Sequence, residues 1–141
     1  MKHPKSERGQ SLVELAISIT ILVFLLAGAV EFGMVFFQFV QLRDAAQEGA
    51  LYGSLHPTES AEIIARVQGA SSSPIDLTTI TPDIIIIGSA CEGVGNAIEV
   101  RVSFNHKIFM PFIPALIGKS DDPTIPLVAS VTDTILQPPC P

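Results

Sequence analysis

An uncharged run of sixteen residues from Leu15 to Val30 constrains this 141-residue chain more than any other feature. One acid, Glu14, interrupts the wider segment from Leu12 to Val30. A bilayer core of about 30 Å requires roughly 20 helical residues, and this segment meets that length. The rest of the chain is too short to wrap so apolar a helix as a soluble core. The sequence therefore predicts a membrane span over about residues 12–31.

A cleaved secretory signal is the alternative for this segment. The apolar region of such a signal is about 7–15 residues long and ends at a small-x-small site. Here the run is longer, and the nearest such site is Ala27-Gly28-Ala29. Cleavage at that site would leave the apolar residues 32–40 exposed on the product. The sequence therefore favours a membrane helix that is retained.

The charges around the span predict its orientation. Lys2, Lys5 and Arg8 precede it and are opposed by Glu7, and basic flanks stay on the cytoplasmic side. Residues 1–9 are then a cytoplasmic leader peptide, and the C-terminal part is exported. From Asp44 onward that part has eleven acidic and four basic residues. This balance argues against nucleic acid or an anionic lipid surface as its ligand.

The helical pattern continues well beyond the span, because no proline occurs until Pro57. A helix over residues 10–55 is at least twice as long as the bilayer core is thick, since each residue adds about 1.5 Å. Its outer half is predicted to be amphipathic, and Gly49 and Gly53 to allow close contact with a sheet. The residues predicted to face the domain are Phe39, Leu42, Ala46, Ala50 and Leu51.

Residues 56–141 are predicted to form an exported α+β domain. Thr58 is an expected N-cap for a short helix that ends near Gln68. Its predicted apolar face is Ala61, Ile64, Ala65 and Val67. Three strands follow, over 83–88, 97–105 and 124–136. The first contains four consecutive isoleucines and is predicted to be buried on both faces, whereas the other two alternate and are half-buried. The predicted fold class is α+β: a long N-terminal transmembrane helix extending into a small domain with a short helix and a three-stranded antiparallel sheet.

Both cysteines, Cys91 and Cys140, lie in the exported part. An oxidising compartment permits a disulfide between them, and the alternative is two unpaired thiols. The bond would close a loop of about 50 residues, which the chain-entropy model values at about 4 kcal/mol. We favour the bond because it would tether an otherwise proline-rich tail.

The segment from Arg8 to Leu15 carries the functional signal. A glycine, Gly9, ends the basic leader, and Glu14 stands five residues later inside a membrane helix, where an ionisable group is costly. Cleavage after Gly9 would give Gln10 a free α-amine about one helical turn from Glu14. In a helical filament, the amine of one subunit could pair with the carboxylate of a neighbour and fix their register.

These residues resemble the type IV pilin-type leader, whose pattern is G-x-x-x-x-E before an apolar helix. Three blocks together are similar to the TadE-like family, the minor pilins or pseudopilins of tight-adherence (Flp) pilus systems. They are GQSLVE at 9–14, EFG at 31–33 and QLRDAAQEGA at 41–50. The resemblance is strongest over residues 8–53. The sequence has Leu15 where the motif often has an aromatic residue, which weakens assignment as the major pilin.

The resemblance implies a pilin-like fold and a role for each motif residue. Gly9 would precede the bond cut by a prepilin peptidase, Gln10 would be the mature N-terminus, and Glu14 would act in assembly. The implied partners are that peptidase, other pilins or pseudopilins, the inner-membrane assembly platform and membrane lipid. The implied location is the bacterial inner membrane, with the exported domain periplasmic or extracellular and the subunit incorporated in a pilus.

Two further features of the helix have open interpretations. Glu31 is either a second interhelical contact or a residue at the outer membrane–water boundary, and we favour the boundary. Ala29 and Gly33 form a small-xxx-small pair that could seat a neighbouring helix, although such pairs are common in membrane helices. His106 is predicted to lie at a solvated strand end.

The sequence contains no catalytic motif, metal-ligand spacing or phosphate loop, so we predict neither an enzyme nor a cofactor. The leading hypothesis is a minor pilin or pseudopilin that acts in the assembly of an adhesive pilus. One alternative is a pseudopilin-like component of a type II-like secretion apparatus. Another is an unprocessed, signal-anchored envelope protein that binds a partner through its acidic domain.

Overall fold

The computed structural model describes residues 8–90, 95–110, 113–118 and 122–136. A single helix, α1, runs from Arg8 to Leu55. Residues 9–55 make it long and apolar enough to cross a membrane, and its most apolar stretch is not buried by the protein. The short helix α2 spans Ser60–Gly69, and a 3-10 turn spans Leu77–Thr79. A four-residue helix, α3, covers Ile113–Leu116.

Three strands form one antiparallel sheet in the order β1-β2-β3, which confirms the predicted fold class. They are β1 at Asp83–Ile87, β2 at Ala97–Lys107 and β3 at Thr124–Thr134. Ala97 pairs with Thr134 and Lys107 with Thr124, so β2 and β3 are matched over their whole length. The predicted alternation of β2 is confirmed, since Ile98, Val100 and Val102 are buried.

The sheet and α2 pack on the outer half of α1, and small residues allow a close approach. Leu42, Ala45, Ala46 and Ala50 are completely buried on the helix side. A Cβ at Gly49 would lie 2.5 Å from Val67 Cγ2 of α2 and 3.3 Å from Val100 Cγ1 of β2. A Cβ at Gly53 would lie 2.6 Å from Ile98 Cδ1. The predicted role of the two glycines in helix–sheet contact is therefore confirmed.

Two predicted faces differ in the structure. The strand β1 is not buried on both faces, because it lies at the edge of the sheet and Ile85, Ile86 and Ile87 are all exposed. On α1, Phe39 and Leu51 are exposed rather than packed on the domain. The contact stripe instead follows Leu42 and the small residues Ala45, Ala46 and Ala50, which let the domain approach the helix closely.

The short helix also differs in detail. Its N-cap is Glu59 rather than Thr58, and no side chain caps it. Its buried residues are Ile63 and Val67, whereas Ala61 and Ala65 are exposed. The buried face of α2 is therefore rotated relative to the predicted one. The prediction relied on two alanines, and alanine occurs on buried and exposed helix faces alike.

Candidate functional site

The predicted processing residues lie at the start of α1. The Gly9–Gln10 peptide bond falls within the first turn of the helix, and both residues are exposed. Glu14 lies about one turn beyond Gln10 and is also exposed. Gln10 and Glu14 line one shallow surface with Val13, Ile17 and Ser18. A protein that approaches this face therefore meets the Gly9–Gln10 bond, which is the predicted cleavage site, and the acid together.

Glu14 has no ionic partner among the side chains that the structure describes. Its neighbours on the same helix face are apolar or uncharged. An unpaired carboxylate on an apolar helix is costly inside a membrane. This carboxylate is therefore available to a cationic group from another molecule.

A second polar centre, which sequence reasoning missed, surrounds Glu31. Glu31 is only 4% exposed and faces the C-terminal domain. Its Oε1 atom accepts hydrogen bonds from the backbone N–H of Phe109, at 3.0 Å, and from Nε2 of His106, at 2.9 Å. Its Oε2 atom accepts from the backbone N–H of Met110 at 3.2 Å. The carboxylate therefore ties α1 to the membrane-proximal end of the sheet.

His106 forms the centre of this contact. It is 3% exposed, and its Nδ1 atom contacts the side-chain amide of Gln38. Because a carboxylate can only accept, Nε2 carries the proton shared with Glu31. The imidazole thus bridges two polar residues of α1 that lie two helical turns apart. The prediction that His106 lies at a solvated strand end was wrong.

The sequence contained signals for both residues. His106 continues the buried face of β2, because it has the same parity as Val100 and Val102. Glu31 lies on the stripe that continues through Val35, Gln38 and Leu42, at the spacing of the buried helix face. Their polarity predicted solvent exposure, whereas their position in the periodic pattern of buried residues indicated burial.

A third polar residue of α1 fixes the next segment of the domain. Gln41 is 8% exposed, and its Nε2 atom donates to the carbonyl oxygen of Ile75 at 2.9 Å. Its Oε1 atom accepts from the N–H of Ile75 at 3.0 Å. The amide therefore satisfies both backbone groups of one residue, and the loop before the sheet is held against α1.

An aromatic cluster closes the other end of the helix. The hydroxyl of Tyr52 donates to Glu59 Oε2 at 2.7 Å, and this hydrogen bond raises the pKa of Tyr52 above its usual value. His56 stacks on the ring at 4.6 Å between centroids, and the Arg66 guanidinium lies 5.0 Å from the ring centroid. This arrangement fixes the turn between α1 and α2 and indicates no reaction chemistry.

The remaining predicted site residues are not brought into contact. Ala29 and Gly33 are both exposed, and a Cβ at Gly33 would meet nothing within 4 Å. Their role in helix packing stays a prediction. Cys91 and Cys140 lie outside the described residues, so the disulfide also stays a prediction. Among the described residues, no cluster of three or more histidine, cysteine or acidic side chains could hold a metal ion.

A comparison with protein families matches part of the chain. Residues 9–51 match the family described as TadE-like protein, the family that the sequence motifs resembled. The matched region lies wholly within α1, so the similarity concerns this helix and not the domain. No curated protein and no solved structure matches the chain significantly.

Proposed function

We propose that this protein is a minor pilin or pseudopilin, a structural subunit that acts in the assembly of a Tad/Flp-type adhesive pilus. A prepilin peptidase cuts it between Gly9 and Gln10. The observation that carries the proposal is Glu14, which is exposed one turn beyond Gln10 and has no ionic partner among the described side chains. It lies on a helix whose most apolar stretch is not buried by the protein. The family match over the same residues supports it.

Cleavage would create a charge that the helix cannot stabilise alone. A helix N-terminus already carries partial positive charge, and the new α-amine of Gln10 would add a full one. A carboxylate nearby relieves this repulsion. Glu14 of an adjacent subunit supplies one, and the pairing satisfies both groups in an apolar bundle.

The second polar centre explains how the subunit carries its domain. Glu31, Gln38 and Gln41 hold the domain against the segment of α1 directly after the predicted span. The large apolar side chains from Leu12 to Val30 are mostly exposed. The helix can therefore pack among other subunits, or move from the membrane into a filament, while the domain stays attached to its outer half.

Processing is tested by coexpressing the full chain with an active prepilin peptidase and measuring the mass of the membrane-extracted protein. We expect the mature protein to begin at Gln10, and Gly9→Leu to retain residues 1–9. Gly28→Leu is the matched control, since Gly28 lies in the same helix with open space around it, and it should be cut normally. An intact N-terminus in the wild-type protein would refute processing.

The pilus role is separated from a secretion role by deletion of the gene in its own host. A minor pilin predicts loss or sharp reduction of surface pili and of adherence, with secreted proteins unchanged. Loss of secreted proteins with normal pili would favour the type II-like secretion alternative. Complementation with Gly9→Leu should fail to restore pili, because the amine of Gln10 would never form.

A further inference from the structure

The connection from β2 to β3 is unusually apolar for an exported loop. No charged residue occurs from Ile108 to Gly118. Phe109 is 78% exposed and Ile117 is 49% exposed, so both project away from the domain core. Large exposed apolar groups on an otherwise acidic domain indicate a surface that contacts something apolar. The described residues of this loop, 108–110 and 113–118, are called the foot below.

The foot lies at the membrane-proximal end of the domain. Strand β2 runs antiparallel to α1, since Ile98 packs near Gly53 and His106 bonds to Glu31 and Gln38. The foot begins where β2 ends. Its backbone N–H groups at Phe109 and Met110 donate to Glu31, which fixes the start of the foot directly beside α1.

The length of the span sets the depth of that contact. The apolar segment from Leu12 to Val30 is about 28 Å long at about 1.5 Å per residue. This matches a hydrocarbon core of about 30 Å, so Glu31 lies at its outer boundary. The carboxylate tolerates this position because the protein satisfies both of its oxygens. The start of the foot, held by the same carboxylate, lies at the same depth.

We propose that the foot inserts Phe109 and Ile117 into the outer interface of the bilayer that α1 spans, as a second contact between the domain and lipid. The partner is the phospholipid bilayer itself, and the contact is apolar rather than electrostatic, because the exported part is acidic. Phe32 and Phe36 stack on α1 at the same level, 70% and 57% exposed. Together they extend the exposed apolar surface of the protein to this boundary.

A second copy of the chain is a weaker candidate for this surface. A stable protein interface buries about 1,200–2,000 Å² in total, and two projecting side chains offer much less. The foot is instead continuous with the helix surface that faces lipid. The proposal depends on membrane insertion of α1 and is independent of cleavage at Gly9.

The chain contains no tryptophan, so single substitutions report on one position each. Phe109→Trp and Ile117→Trp replace exposed side chains and should leave the fold intact. Leu136→Trp is the matched control at the far end of the domain, since Leu136 is 60% exposed and its N–H bonds to Ser54 on α1. Leu22→Trp, within the span, reports on insertion of the helix.

Each full-length variant is reconstituted into zwitterionic vesicles with lipid brominated either near the headgroups or deep in the chains. We expect shallow bromine to quench Phe109→Trp and Ile117→Trp, deep bromine to quench Leu22→Trp, and neither to quench Leu136→Trp. If neither foot variant is quenched while Leu22→Trp is quenched, insertion of the foot is refuted and membrane insertion of α1 is supported. If Leu22→Trp is not quenched, both insertion of α1 and insertion of the foot are refuted.

The same samples exclude contact between copies. A foot covered by a second copy would show blue-shifted emission that bromine does not quench and that weakens as the ratio of lipid to protein rises. That result would overturn the proposal. Quenching that is constant over a tenfold dilution in lipid supports it.

Discussion

At the scale of single residues, the carboxylates of α1 have opposite environments. Glu14 is exposed and unpaired among the described residues, whereas Glu31 is buried and accepts three hydrogen bonds. Burying a charged group is tolerated only when its hydrogen bonds are satisfied. Glu31 therefore serves this chain's own fold, whereas Glu14 is the group that we propose to contact another subunit.

Replacement of Glu31 by glutamine tests the first of these roles. In the wild type, both carboxylate oxygens of Glu31 accept a hydrogen bond. In the variant, the NH₂ group that replaces one oxygen would therefore face an N–H donor, and that hydrogen bond would be lost. We expect the free energy of opening of β2 to fall by about 1–3 kcal/mol. Amide hydrogen exchange on the detergent-solubilised chain measures this.

Glu48→Gln is the control for that measurement. Glu48 lies 3.6 Å from Arg66 in an exposed ion pair, which is worth at most about 1 kcal/mol. Its exchange rates should stay close to those of the wild type. Equal effects of the two substitutions would show that the contact of Glu31 with the sheet does not stabilise the domain.

Replacement of Glu14 by alanine tests the second role. Cleavage after Gly9 should continue, since Glu14 lies beyond the scissile bond, but the new amine would lose its partner and pilus assembly should fall. Mass spectrometry and counts of surface pili give the two readouts. Ser18→Ala, on the same helix face, should leave both unchanged. Normal pilus number in the Glu14→Ala strain would contradict the amine–carboxylate pairing.

At the scale of elements, periodicity predicted which segments are strands and helices. Composition did not predict which of their faces are buried. Alternation identified β2 and β3, and the absence of proline identified α1. The four isoleucines of β1 suggested a buried strand, but burial depends on which strand α1 covers, and no local pattern encodes that. The polar centre was missed because Glu31 and His106 are separated by 75 residues and each has its hydrogen-bond partners in a distant part of the chain.

The close contact between α1 and the sheet gives a prediction at this scale. Gly49→Ala places a methyl group 2.5 Å from Val67 Cγ2, so the helix or α2 must shift. We expect a loss of about 1–3 kcal/mol in stability of the domain, the usual cost of overpacking. Hydrogen exchange of β2 and α2 amides measures it.

Gly33→Ala is the matched substitution on the same helix, where the added methyl meets nothing. Alanine is the better helix former by about 1 kcal/mol, so domain stability should stay unchanged or rise slightly. A similar loss in both variants would mean that the cost comes from the helix itself rather than from its contact with α2 and the sheet.

At the scale of the whole molecule, the helix α1 has two halves. The first half faces lipid, and the second half carries the domain. The domain is held near Glu31 by polar contacts and at the far end by the Tyr52 cluster and by the bond from Leu136 N–H to the Ser54 carbonyl. Two separated attachments resist rotation of the domain about the helix. A filament subunit with this arrangement would present a constant surface outward.

The last prediction concerns the far end of the domain, where the segment before Cys140 and the segment after Cys91 lie next to each other. Ile135 N–H donates to the carbonyl oxygen of Asn96 at 3.2 Å, so the segments that lead to Cys140 and Cys91 start side by side. We propose that the two cysteines form a disulfide that joins the β1–β2 turn to the C-terminal tail. Thiol alkylation with and without reductant, read as a gel shift, should show no free thiol in exported protein.

Reduction should then lower the stability of the domain by about 4 kcal/mol, mainly because the unfolded chain gains freedom. Cys91→Ser and Cys140→Ser should each reproduce that loss, and the double variant should lose no more than either single one, since each removes the same bond. Additive losses, or alkylation of both thiols without reductant, would show that the cysteines are packed separately and that other contacts hold the tail.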